Sequence, residues 1–338
     1  MNTKKMYRNH DFIYEATSKL EKLIDIPIQV DSNRDNYDAL LTIRDMQFIV
    51  EIKAAVRTSN QGFILSQLEE MKYSSNRPII LIADYISKKS TQAFKERGIN
   101  YIDVAGNAFI RHKDLAILVE GQKNTKKDKT NQSRAFQETG LKILFHLLDK
   151  PEHLQDSYRR IAEQAEVSIG SVSHVMTELE ELNYLLKTNE KRILKNTGEL
   201  LERWVIEYNA VLRPRIIRKK MRFIDPDQIK NWEFMNLNSR NGTILWGGEP
   251  GGAILTENLR PENFTIFSDL ELAQIANKLR LVPSENGTVE ILQKFWKNDT
   301  DNKTVAPALL IYADLMNSGF GRNTEIAKQI RKNELQHI

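Results

Sequence analysis

Three residues in the first third of this 338-residue chain have the types and spacing to do chemistry: Asp38, Glu51 and Lys53. Tyr37 to Ile43 and Phe48 to Val56 are strand-like runs flanking Arg44-Asp45-Met46-Gln47, a length suited to a hairpin loop. With those four residues as the loop, Ile43 pairs with Phe48, Asp38 lies opposite Lys53, and Leu40 lies opposite Glu51. Side chains alternate along a strand, so the three charges share one face of an otherwise apolar hairpin. Grouping ionised side chains there is costly unless they pair with one another or bind something. One arrangement that meets the cost is a Mg²⁺ ion held by Asp38 and Glu51, with Lys53 orienting or activating water beside a scissile phosphate. Glu15, upstream of the hairpin, is a candidate additional ligand, and Gln67, downstream, a candidate lining residue. The alternative is an Asp38–Lys53 salt bridge with Glu51 at a sheet margin.

The elements that must position these residues follow from periodicity. Phe12 to Ile24 has apolar residues at helical spacing, including Ile13, Ala16 and Leu20. After the hairpin come a helix at Phe63 to Tyr73, an apolar strand at Pro78 to Ala83, a helix at Ser90 to Arg97, and strands around Tyr101 to Val104 and Leu115 to Val119. Asp103-Val104-Ala105-Gly106-Asn107 reads as a tight connection. A helix, a hairpin bearing the triplet, then helix–strand–helix–strand resembles the restriction-endonuclease-like (PD-(D/E)xK-like) core, an α/β fold. Fold membership does not imply activity.

The middle third reads as a DNA reader. Leu141, Leu144, Phe145, Leu147 and Leu148 form a helical stripe ended by Pro151, and a second helix spans Ser157 to Ala165. A third starts near Ser168, with Val172, Val175, Met176, Leu179 and Leu182 inward and Ser171, His174, Thr177 and Glu178 outward. Ser168, Gly170 and Ser171 are small enough to let the helix N-terminus approach phosphates and base edges. A hairpin-like stretch from Tyr184 to Lys195 follows, turning at Asn189-Glu190, as in the wing of a winged helix, with Lys187, Lys191 and Arg192 in reach of the DNA backbone or minor groove.

Charge distribution agrees. Overall, 49 basic residues against 45 acidic ones leave only +4. Residues 1 to 120 carry 17 basic and 16 acidic side chains, residues 121 to 225 carry 20 and 15, and residues 226 to 338 carry 12 and 14. Only the middle has the sign of a nucleic-acid footprint. Its excess lies in two clusters, Lys123, Lys126, Lys127, Lys129 and Arg134, and Arg213 to Arg222, where Arg215, Arg218, Lys219 and Lys220 are candidate phosphate ligands; either also suits a solvated linker or face. The absence of cysteine removes disulfides, thiol nucleophiles and thiolate-bound metals, so a metal here is expected to be oxygen-ligated, as Mg²⁺ is. No apolar run reaches the ~20 residues of a membrane helix, and no signal-peptide core follows the first lysines, so a cytoplasmic location without membrane partners is expected.

In the last third, Thr197 to Leu212 continues as a helix, and Thr243 to Ala253 is glycine-rich after an apolar strand without phosphate-loop spacing, so it reads as a structural loop. The winged-helix segment, Trp246-Gly247-Gly248-Glu249, Leu309-Leu310-Ile311-Tyr312-Ala313-Asp314-Leu315 and Arg322-Asn323 together resemble the AbiEi-like antitoxin and transcriptional-regulator family of the AbiE type IV toxin–antitoxin (abortive-infection) systems. The resemblance implies a winged-helix protein that represses its own operon by binding repeats in operator DNA. It also implies a nucleotidyltransferase-like toxin counteracted without a stable complex, and no cofactor for DNA binding. The nuclease-like region in front departs from the simplest members, which begin with the winged helix. The expected organisation is therefore α/β and α+β multidomain. A restriction-endonuclease-like domain spans 1–120, a linker 121–134, a winged helix-turn-helix 135–200 and an antitoxin-type α+β domain 201–338. The competing expectation is a Mg²⁺-dependent endonuclease targeted by its winged helix.

Overall fold

The computed structural model describes residues 3–31, 37–56, 61–123, 133–239, 241–297, 304–318 and 321–338. The chain forms two compact units, Met1–Lys129 and Thr130–Ile338.

The first unit runs α1 (Thr3–Ile24), β1 (Ile28–Asp31), β2 (Ala39–Ile43), β3 (Met46–Val56), α2 (Gln61–Ser74), β4 (Ile79–Ile86), α3 (Lys88–Glu96), β5 (Asn100–Asp103), β6 (Ala108–His112) and β7 (Leu115–Val119). Its seven strands form one curled sheet in chain order. The β3–β4 and β4–β5 pairs are parallel and the others antiparallel. Parallel neighbours need crossovers, which α2 and α3 supply. Val50, Ile52, Ile80, Ile82 and Ile102 join Ile13, Ala16 and Leu20 of α1 in one core. Alternation then puts Glu51 and Lys53 on the opposite face, where Phe94 of α3 meets Tyr101 of β5 at 6.1 Å between ring centres.

The hairpin register differs from the sequence expectation. Ile43 pairs with Met46 and Leu40 with Ile49, leaving a two-residue turn at Arg44-Asp45 with Arg44 at φ +52°. Two-residue turns match the twist of the flanking strands, and Met46, packed against the core, is worth more in the strand than in a loop. The slip is two residues, so every side chain keeps its face. Continuing the register sets Asp38 opposite Glu51, not Lys53. Strands β1 and β6 were not expected; β6 is reached through a turn in which Gly106 takes φ +95° and the Asp103 carboxylate accepts the Asn107 backbone N–H at 2.9 Å.

The second unit begins with α4 (Glu138–Asp149), α5 (Tyr158–Gln164), α6 (Ile169–Glu181), β8 (Leu185–Lys187), β9 (Arg192–Leu194) and α7 (Thr197–Glu207). Val172, Val175, Met176 and Leu179 of α6 are buried with Leu141, Leu144, Phe145, Leu148 and Ile161, as the helical stripes demand. Trp204 of α7 is fully buried, lies 6.1 Å from the Phe145 ring, and donates its indole N–H to Leu141 O at 3.0 Å. After one wide turn at Tyr208–Leu212 come α8 (Arg213–Ile216), β10 (Ile217–Phe223), α9 (Asp227–Lys230), β11 (Ile244–Gly247), α10 (Gly248–Thr256), β12 (Phe264–Ser268), α11 (Leu272–Leu279), β13 (Leu281–Pro283), β14 (Val289–Gln293), α12 (Ala308–Asn317) and α13 (Gly321–Glu334). The five strands are ordered β11-β12-β14-β10-β13.

The glycine-rich stretch and the basic cluster both differ from their expectations for packing reasons. The glycine-rich stretch is no loop: β11 passes directly into α10. Gly248 takes φ +47°, and a Cβ on Gly251 would meet the Ile311 side chain at 2.6 Å, so glycine admits α12 against α10. The basic cluster is no linker, because most of it is α8 and β10, a strand hydrogen-bonded on both sides, though Arg215, Lys219, Lys220 and Arg222 remain exposed.

Candidate functional site

The helix-turn-helix expectation rests on α6 and its surroundings. Ser168 is the N-cap of α6: its Oγ accepts the Ser171 N–H at 3.1 Å and lies 2.8 Å from the Ser171 Oγ. Both hydroxyls are therefore engaged in starting the helix. Gly170, His174 and Thr177 are exposed, and Thr177 donates its hydroxyl back to Ser173 O at 3.0 Å. Glu178 is turned inward, accepting the Ala135 N–H at 2.9 Å. Among the described residues the His174 side chain makes no hydrogen bond or ion pair.

The three cations of the β8–β9 hairpin separate into two kinds. Lys187 pairs with Glu180 and stands 5.9 Å from the centre of the Tyr158 ring; the ion pair holds its pKa above the usual lysine value. Arg192 donates to the Asp156 carbonyl at 2.5 Å and lies 5.4 Å from the same ring, while its backbone is clasped by the Gln155 amide at 2.7 and 3.0 Å. These two bind the hairpin to α5. Lys191, at the exposed tip, has no side-chain partner among the described residues.

The second basic cluster is largely consumed. Arg215 pairs with Glu138 at 2.7 Å, Arg218 donates to Leu270 O at 2.5 Å, and Lys220 pairs with Glu290 at 3.3 Å. Only Lys219, exposed on β10, keeps no side-chain partner among the described residues. Lys126, Lys127 and Lys129 of the first cluster lie outside the described residues.

Three motifs of the last third converge on a cleft of about 340 Å³ lined by Asn209, Arg213, Glu249, Glu290, Asp314 and Asn323, among others. The Glu249 carboxylate accepts from the Asn323 side chain at 3.2 Å, the Arg322 guanidinium at 3.3 Å and the Glu262 N–H at 2.7 Å. Arg213 bridges Asp314 at 2.8 Å and Glu290 at 2.9 Å. Burial pushes Asp314 above the usual aspartate range despite that arginine. At Glu290 the same penalty is outweighed by Arg213 and Lys220, and its pKa falls.

In the first unit the structure puts Asp38, Glu51 and Lys53 on one face. Glu51 is paired with Lys53 at 2.8 Å, and Asp38 accepts the Ile52 N–H at 2.8 Å. Glu15 sits on α1, across the sheet, and pairs with Lys19 at 3.2 Å, while Lys19 also donates to Val104 O. Glu15, Asp38 and Glu51 do not come together as a three-donor group. Gln67, on α2, has a buried Oε1 without a hydrogen-bond partner among the described residues.

Among the described residues, the one group of three ligand-type side chains close enough to share an ion is His146, His153 and Asp156, where α4 turns toward α5. Its spacing, His-x₆-His-x₂-Asp, is the signal the sequence offered, obscured because Pro151 splits it between two elements. No helix among the described residues is long and apolar enough to cross a membrane.

No curated protein and no solved structure matches the chain. Residues 192–336, beginning at β9 and ending beyond α13, match the model of a family described as transcriptional regulator, AbiEi antitoxin, type IV toxin–antitoxin system. The matched span holds Glu249, Asp314, Arg322 and Asn323, and over this span the chain is similar to that antitoxin family.

Proposed function

We propose that this protein is a DNA-binding transcriptional regulator that acts as a type IV antitoxin, represses its own operon and counteracts a nucleotidyltransferase-like toxin without a stable complex. The observation that carries the reading is position: three packed helices and a two-stranded hairpin stand immediately before, and run into, the residues matched by the antitoxin family. On this reading residues 135–200 are a winged helix-turn-helix, 201–338 an antitoxin-type domain, and 1–120 a restriction-endonuclease-like domain joined through a linker at 121–134. Helix α6 enters the major groove of operator DNA, Gly170, His174 and Thr177 approach base edges, and Ser168 and Ser171 aim the helix N-terminus at a phosphate. Lys191 at the hairpin tip and Lys219 contact the backbone, whereas Lys187, Arg192, Arg215, Arg218 and Lys220 act chiefly by holding the fold.

The test is binding to the protein's own promoter fragment by fluorescence anisotropy across a salt series. Lys191→Ala weakens binding to all sequences and flattens the salt slope by roughly one unit, and His174→Ala narrows the gap between operator and random DNA. Unchanged affinity and unchanged specificity in both variants would reject the reading.

A Mg²⁺-dependent endonuclease remains the second reading, on one observation: Asp38, Glu51 and Lys53 share a face, with Gln67 on the helix beyond. Its test is plasmid cleavage with Mg²⁺ or Mn²⁺ beside Asp38→Ala and Lys53→Ala.

A further inference from the structure

The geometry points to a transition-metal site of the zinc class formed by His146, His153 and Asp156. The three donor atoms lie within 4.8 Å of one another. Two imidazoles and one carboxylate are the donor set of open zinc centres, three protein ligands leaving a fourth position for water or another ligand. A hard ion such as Mg²⁺ disfavours imidazole, so this site differs in kind from an oxygen-ligated one.

Each ligand is prepared for the role. The His146 Nε2 is buried and has no hydrogen-bond partner among the described residues, an unusual cost for a ring nitrogen. His153 stacks on His146 with ring centres 4.5 Å apart, and its Nδ1 lies 2.8 Å from the Asp156 carboxylate. Arg160 reaches the same carboxylate at 3.4 Å, but its side chain is largely exposed and able to swing away.

Tetrahedral zinc with bonds near 2.0–2.1 Å holds its donors about 3.4 Å apart, so binding draws the three atoms inward and turns the stacked rings out of register. Asp156 feels this movement directly. Its backbone carbonyl holds the Arg192 guanidinium, and the adjacent Gln155 side chain holds the Arg192 backbone. The metal is thereby levered onto the β8–β9 hairpin. That consequence for DNA rests on the regulator reading, whereas metal binding does not.

The experiment uses tag-free full-length protein and Co²⁺ as the probe, followed by Zn²⁺ competition. Expected are one equivalent of Co²⁺ with tetrahedral visible absorbance, displacement by Zn²⁺, and a thermal shift with Zn²⁺. His153→Gln and Asp156→Asn each weaken the metal roughly tenfold or more. Circular dichroism establishes that the variants fold, and His174→Ala, a histidine outside the site, leaves the metal affinity unchanged. Absence of binding by the wild-type protein at tens of micromolar Co²⁺, or equal affinity and spectrum in both site variants, overturns the proposal. Promoter affinity measured with Zn²⁺ and with chelator is read separately: metal bound without any DNA binding refutes the regulator reading and leaves the metal site standing.

Discussion

Replacing Arg213 with methionine removes the cation paired with the buried Asp314 and shared with the half-buried Glu290, which keeps Lys220. The Arg213 and Asp314 side chains are 18% and 4% exposed, and Glu290 completes the bridge. Breaking a buried pair by deleting one partner costs roughly 3–5 kcal/mol, because an uncompensated charge stays inside. The lower part of that range applies, since the arginine keeps some contact with water and Asp314, already raised by burial, is able to take up a proton. A loss of about 3 kcal/mol lowers the melting temperature of a unit this size by about 10 °C. Replacing both partners, Arg213→Met with Asp314→Leu, removes the orphan and is expected to recover more than half of the loss. The assay is urea unfolding at neutral pH for wild type, both single variants and the double variant, closed as a thermodynamic cycle. A cost under about 1 kcal/mol for Arg213→Met, or a double variant as unstable as the sum of the singles, would refute the reasoning.

Acid should weaken the second unit through His146. Its folded pKa of about 4 lies below the unfolded value, so the unfolded chain takes up a proton first as pH falls. Stability is full at neutral pH and declines as pH falls through the unfolded value toward pH 4, and His146→Gln removes that part of the slope. Ser168→Ala deletes the α6 cap and should cost about 1 kcal/mol in thermal unfolding; no measurable change would mean the cap contributes nothing. Asp38→Ala and Lys53→Ala should leave DNA binding through the second unit intact in a mobility-shift assay, and loss of operator affinity in either would place the first unit in DNA recognition.

Helix periodicity and capping residues in the sequence determined α4, α5 and α6 nearly to their ends, because local spacing alone decides which face Val172, Val175, Met176 and Leu179 bury. Strand alternation likewise put Glu51 and Lys53 on one face, and this survived an error in register, since a slip of two residues restores every side chain to its side. The regional charge count located the basic middle of the chain but not its use.

Tertiary structure decided what those charges meet. Whether a lysine or arginine is available to a phosphate depends on which acid lies beside it in space. Glu138 and Glu290, distant in sequence from Arg215 and Lys220, and Glu180, one helix end away from Lys187, pair with three of the seven expected cations, and backbone carbonyls hold Arg192 and Arg218. The convergence of Glu249, Asp314 and Asn323 on one cleft, and of His146, His153 and Asp156 at one turn, is likewise set by packing. Local physics fixes which way a side chain points along its own element; only the assembled fold fixes what it meets.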